Sequence, residues 1–72
     1  MATDTMITVR VNGSEKTFAD GTTVSSMLVS EGMDPAKVAV EIDLDIVPRR
    51  TFGEREIRNG EVIEIVSFVG GG

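Results

Sequence analysis

From Met6 to Val11 apolar and polar residues alternate, with Ile7, Val9 and Val11 on one side and Thr8 and Arg10 on the other. A period of two built from β-branched residues predicts a half-buried strand. Asn12-Gly13 follows, the pair best suited to the positive φ angles of a two-residue hairpin. A return strand is expected over residues 15–19 with Phe18 turned to the core, closed by Asp20-Gly21. The period then changes. Val24, Met27 and Leu28 fall at i, i+3 and i+4 behind Thr22 or Thr23, either of which can cap a helix with its hydroxyl. Gly32 is placed to end that helix in the left-handed conformation, and Pro35 forbids its continuation.

Alternation returns at residues 38–42, with Val38, Val40 and Ile42 inward. Asp43-Leu44 is a poor turn, because leucine resists positive φ. Ile46-Val47 predicts a short strand stopped by Pro48, which suits a sheet edge. Residues 49–58 read as irregular and mostly polar. After the Asn59-Gly60 turn, residues 62–69 predict the longest strand, with Ile63 and Ile65 inward and Glu64, Val66 and Phe68 on the opposite face. A helix between strands crosses the sheet and covers one face. The expectation is an α+β domain in two layers. It has a mixed sheet of four to five strands (ββαβββ along the chain) with one helix on one face and the other face open.

Composition narrows the function classes. The chain has 72 residues, 40% hydrophobic and 26% charged, with no Cys and no His. That fits one small domain with a thin core and no disulfide or thiolate metal site. A net charge of -5 argues against nucleic acid and anionic membrane as partners. It suits a partner with a basic face, and equally serves solubility. No stretch approaches the roughly 20 apolar residues that span a bilayer. Residues 1–5 are polar, lack a signal-peptide pattern and are expected to be a disordered extension. The cytoplasm is the compartment these features fit.

The catalytic inventory is nearly empty. Without His and Cys the remaining candidates are Asp, Glu, Lys, Ser and Thr. Glu54, Glu56, Glu61 and Glu64 read as solvated or loop charges, Asp43 and Asp45 flank a turn, and Ser25-Ser26 lie in a first helical turn. No phosphate loop, metal-ligand spacing or nucleophile elbow is present, so no catalytic and no metal-binding residue is assigned. Gly70-Gly71-Gly72 differ. Glycine is the most costly residue to order, so the tail is expected to be disordered. The residues after Phe68 can reach about 14 Å. Such a side-chain-free arm can thread a narrow channel and deliver the Gly72 carboxylate. A frayed terminus or the remnant of an expression tag explains the glycines equally well.

Val11-Asn12-Gly13, Asp20-Gly21-Thr22-Thr23-Val24, Val38-Ala39-Val40-Glu41, Ile46-Val47-Pro48-Arg49, Asn59-Gly60, the run Val62-Ile63-Glu64-Ile65-Val66 and the glycine end together give an order and spacing that resembles the ThiS family. These are the sulfur-carrier proteins of thiamine (thiazole) biosynthesis. The resemblance covers nearly the whole chain from Met6 and implies the ubiquitin-like β-grasp fold and a carrier rather than an enzyme. It implies that a ThiF-like partner uses ATP and Mg²⁺ to adenylate the Gly72 carboxylate. Sulfur, from a donor such as a cysteine desulfurase, then gives a thiocarboxylate used by a ThiG-like thiazole synthase. Gly71 and Gly72 match the family's terminal pair and Gly70 its approach. The carrier itself is expected to bind no cofactor and to be monomeric when free. Val66 and Phe68, with Glu41 and Ala39, form the expected partner interface on the open face.

The chain departs from the family pattern in three places. Asp43-Leu44 stands where the family has Asn-Gly, residues 1–5 precede the usual start, and Arg49-Arg50 is more basic than usual, as a solvated loop or as a contact to a partner or an adenylate phosphate. Three other readings compete. They are a sulfur carrier of another pathway, such as a molybdopterin synthase small subunit, a ubiquitin-like modifier conjugated through Gly72, and a non-covalent binding module with an idle tail.

Overall fold

The structure, a computed structural model, describes residues 5–68. The expected disorder of residues 1–4 and of the glycine tail lies outside that range. Strand β1 (Met6–Val11) turns at Asn12-Gly13 into β2 (Ser14–Ala19). Helix α1 (Val24–Ser30) and a single 3₁₀ turn (Pro35–Lys37) lead into β3 (Val38–Ile42). Then come β4 (Asp45–Ile46), a second 3₁₀ turn (Arg49–Thr51) and β5 (Val62–Ser67). The five strands form one mixed sheet in the order β2-β1-β5-β3-β4. Only the central β1–β5 pair is parallel.

Alternation in the sequence becomes alternation of faces. Ile7, Val9 and Val11 of β1, Val38, Val40 and Ile42 of β3, and Ile63 and Ile65 of β5 are all buried. They meet Val24, Met27 and Leu28, the apolar face of α1, each of which is fully buried. At seven residues the helix is too short to persist alone, and its ends are closely capped. Thr23 is the N-cap, its hydroxyl accepting from the Ser26 N–H. The Val24 and Ser25 N–H groups donate to the Arg55 and Phe52 carbonyls. At the other end Gly32 takes φ +77, with Gly32 N–H donating to Val29 and Met33 N–H to Leu28. This is the paired bonding of a Schellman cap.

The segment expected to be irregular and polar is therefore part of the core. Phe52 and Ile57 are buried, and the segment's carbonyls cap the helix. Glu61, read as a solvated charge, pins the same segment. Its carboxylate accepts from Arg55 Nη2 at 2.9 Å and from the Arg58 N–H at 2.7 Å. The last strand is shorter than expected. β5 ends at Ser67 and matches β1 and β2 at six residues each. The short strand is Asp45–Ile46 rather than Ile46-Val47, and Val47 joins the core. Thr5, the one described residue of the expected N-terminal extension, adjoins the sheet, its carbonyl accepting from the Asp20 N–H at 2.8 Å.

Two turns place non-glycine residues at positive φ, with opposite consequences. Asn12 (φ 49) uses its side chain: Oδ1 accepts from Ile65 N–H at 2.7 Å and Nδ2 donates to the Ile65 carbonyl at 3.3 Å. Leu44 (φ 74) is 85% exposed and gains nothing for its strain. Replacing each by glycine separates the cases. Asn12→Gly removes both bonds to Ile65 and is expected to destabilise by about 1–2 kcal/mol. Leu44→Gly relieves a left-handed penalty of about 1–2 kcal/mol against a glycine entropy cost of about 0.5–1 kcal/mol. It is expected to raise the urea midpoint at unchanged m-value. Urea unfolding of both variants checks the two signs.

Candidate functional site

The end of β5 is where the described chain hands over to the glycine segment, and it is held from both sides. On one side Asn12 fixes Ile65. On the other, β3 runs antiparallel, pairing Val38 with Ser67 and Ala39 with Val66, and the Phe68 N–H donates to the Lys37 carbonyl at 2.8 Å. Arg49 braces this neighbour strand, Nη2 donating to the Val38 carbonyl at 2.8 Å and Nε to the Pro35 carbonyl at 3.2 Å. Its guanidinium therefore serves the fold. Arg50 is exposed.

The four expected interface residues share the face away from the helix. Val66 and Phe68 are 60% and 54% exposed, and Ala39 and Glu41 are half-buried. Ala39 lies directly across from Val66, and Glu41 directly across from Glu64. Around them the face also carries Val62 and Ile46, both exposed. Exposed apolar side chains become informative when they cluster, and here they flank the strand that leads to the glycines. Gly70, Gly71 and Gly72 lie outside the described residues.

Among the described residues this end of the sheet forms no hollow of metabolite size. The hollow between Phe68 and Pro48 measures about 220 Å³, below the range of about 300–1,000 Å³ that holds metabolites. Among the described residues no cluster of three or more Asp and Glu could hold a metal ion. No helix among them is long and apolar enough to cross a membrane. What the arrangement provides is a rigid platform beside an exposed apolar face.

Sequence reasoning missed three residues that shape the site. Asn12 was legible as a turn residue but not as a clamp, because its partner lies 53 residues away. Arg49 was legible as a cation but not as a brace on two carbonyls. Ile46 was read as half of a strand, whereas it is 74% exposed on the open face. The signal for Ile46 was present: successive residues of extended chain face opposite ways, so with Val47 buried Ile46 faces out.

Comparison with known proteins matches this platform to one family. The model of the ThiS family matches residues 9–72. The sulfur carrier protein ThiS of Bacillus subtilis is 35% identical over 65 residues, covering 89% of this chain and 98% of that protein. A thiazole synthase of Paramagnetospirillum magneticum is 42% identical over 62 residues, covering 86% of this chain and 19% of that protein. The chain thus spans about a fifth of the length of the thiazole synthases it matches. The crystal structure of a thiamine biosynthesis protein (ThiS) from Geobacter metallireducens superposes with a TM-score of 0.77 at 26% identity, covering 92% of this chain and all of that one. The fold is the ubiquitin-like β-grasp, and the chain belongs to the ThiS family.

Proposed function

We propose that this protein is a cytoplasmic sulfur carrier of thiamine thiazole biosynthesis, acted on by partner enzymes rather than acting as one. The observation that carries the proposal is the open-face platform, braced at Lys37, Val38 and Ile65 and described as far as Phe68, two residues before Gly70-Gly71-Gly72, in a chain matched along residues 9–72 by the ThiS family. A carboxylate is a poor electrophile until one oxygen becomes a leaving group. Adenylation by an ATP- and Mg²⁺-dependent, ThiF-like enzyme supplies that leaving group, and a sulfur nucleophile displaces the adenylate to leave a thiocarboxylate on Gly72. The sulfur originates from a donor such as a cysteine desulfurase and passes to thiazole synthase. The sequence contains no Cys, so the terminal carboxylate is the natural place for covalently held sulfur. Gly71 and Gly70 supply an approach without side chains. Val66, Phe68, Ala39 and Glu41 are the surface a partner grips while the tail reaches its active site.

Incubation with ATP, Mg²⁺, a sulfur source and the cognate activating enzyme is expected to exchange one oxygen for sulfur in the C-terminal peptide. Mass spectrometry of that peptide is the readout, because oxidation of one of the four Met gives nearly the same change in intact mass. A residue appended after Gly72 moves the carboxylate and should abolish the exchange. An unmodified C-terminal peptide after complete ATP turnover excludes the carrier role, and an isopeptide adduct instead identifies a protein modifier.

The grip is tested separately. Val66 and Phe68 are more than half exposed, so truncating either to alanine should shift stability by no more than about 0.5 kcal/mol. The double variant Val66→Ala/Phe68→Ala should nevertheless lower the rate of activation at limiting carrier concentration by at least roughly tenfold, the order expected for aromatic and aliphatic anchors. Unchanged activation kinetics would remove these two residues from the interface.

A further inference from the structure

The open face has a second feature, at the end remote from the glycines. Val62 starts β5 and Phe68 follows its end, so the two positions are separated by about 20 Å of extended chain. Around Val62 lies a hollow of about 340 Å³ lined by Glu41, Asp43, Leu44, Val62 and Glu64. Its walls are unlike those of a metabolite pocket. Two apolar side chains, Leu44 and Val62, lie beside two carboxylates, Glu41 and Glu64, that stand directly opposite each other on neighbouring strands. Asp43 is already engaged, its Oδ1 accepting from the Val62 N–H at 2.9 Å.

Two independent costs converge here. Like charges directly opposed across an antiparallel pair, with Cβ atoms about 5 Å apart, destabilise a sheet. Among the described residues the ion pairs are Lys16–Glu31 and Arg55–Glu61, and neither involves Glu41 or Glu64. Arg10, the nearest cation by strand register, turns its Nη1 to the Gly13 carbonyl. The second cost is Leu44, a leucine at φ 74 with 85% of its surface in water. Backbone strain retained without internal compensation is characteristic of contact sites.

We propose that this hollow receives a single arginine or lysine side chain projecting from a thiazole synthase. A long cationic side chain has the matching anatomy: an apolar stem that lies along Leu44 and Val62, and a charged head that settles between Glu41 and Glu64. Thiazole synthase is the occupant because the chain is 42% identical to a segment making up 19% of a protein of that name. In such a polypeptide the carrier-like segment is tethered to the remainder at high effective concentration. The inference rests on the carrier reading above and adds to it an anchor far from the tail. The anchor fixes how the carrier is oriented on its partner.

The test measures binding of the full 72-residue chain to the thiazole synthase encoded in the same genome, by calorimetry at low and high salt. The variants are Glu41→Gln/Glu64→Gln, Leu44→Gly and, as a charge-matched control on the loop beside the helix, Glu54→Gln/Glu56→Gln. The first two should raise the thermal midpoint of the free chain, since they relieve repulsion and strain, while weakening binding by roughly tenfold and fivefold. The first should also flatten the salt dependence. The control should bind as the parent does. Parent-like affinity and salt dependence for E41Q/E64Q, or parent-like affinity for L44G, overturn the inference and leave the carrier reading standing. An equal loss in the control overturns it as well, since net charge then suffices. So does a defect confined to ATP-dependent activation, which assigns the hollow to the activating enzyme. If the parent chain itself does not bind thiazole synthase, the acceptor in the carrier reading fails and the inference falls with it.

Discussion

The architecture depends on one seam, the parallel pairing of β1 with β5. It is narrow, with Arg10 in register with Val62 and Val11 with Ile63. Backbone bonds that cross it include Arg10 N–H to the Glu61 carbonyl, Asn12 N–H to the Ile63 carbonyl and Gly60 N–H to the Thr8 carbonyl. Side-chain amides extend it at both ends. Asn59 Oδ1 accepts from the Thr8 N–H, and Asn12 bonds both backbone groups of Ile65. Each asparagine belongs to a turn and doubles as a substitute rung of the ladder. Without the seam the β1–β2 hairpin and the β3–β4–β5 unit would be separate small sheets, neither able to bury a helix. With it, Val9 and Val11 come beside Ile63 and Ile65, and α1 has a continuous apolar floor.

The seam also sets the direction of the last strand. A parallel partner delivers the end of β5 to the end of the sheet where the Pro35–Lys37 turn leads into β3 at Val38, which fixes the exit point between two elements. The brace by Arg49 belongs to the same design. A guanidinium on the carbonyls of Pro35 and Val38 holds the turn that receives the Phe68 N–H. Rigidity up to Phe68 has a physical use if glycines follow. A segment that enters a partner's channel searches a smaller volume when its root does not move, which reduces the entropy lost on entry.

Much of this was readable from the sequence, and the exceptions have a common cause. The five strands, the helix, its Thr cap and Gly32 stop, and the inward set of each strand follow from periods of two and 3.6 and from turn residues, all of them local. The placement of Val66, Phe68, Ala39 and Glu41 on one face follows from the same alternation. What was not readable depends on partners far along the chain. Phe52 and Ile57 sit singly in a polar stretch, and backbone bonds to the start of α1 draw that stretch over the core: the Phe52 and Arg55 carbonyls accept from the Ser25 and Val24 N–H groups, and the Ile57 N–H donates to the Thr22 carbonyl. Glu61 looks like any surface acid until Arg55 and the Arg58 N–H meet it. Leu44 was legible as a misfit, since the physics of positive φ disfavours it, yet its near-complete exposure becomes visible only when the hairpin is placed at the rim of the open face.

The open face shows how such a small domain can combine stability with recognition. Its core lies between one side of the sheet and one side of the helix, closed by Val47, Phe52 and Ile57, and every buried hydrophobic residue in β1, β3 and β5 contributes to it. The residues alternating with them are free of that duty, and on β5 they are Val62, Glu64 and Val66, with Phe68 beyond. A face selected for stability alone would pair Glu64 with a cation and place glycine or asparagine at Leu44. Instead it sets carboxylate against carboxylate and leaves apolar groups in water. Those choices weaken the free chain by small amounts, and they are the kind that a second protein can recover on contact, because burial of the apolar groups and a cation between the acids reverse both costs at once.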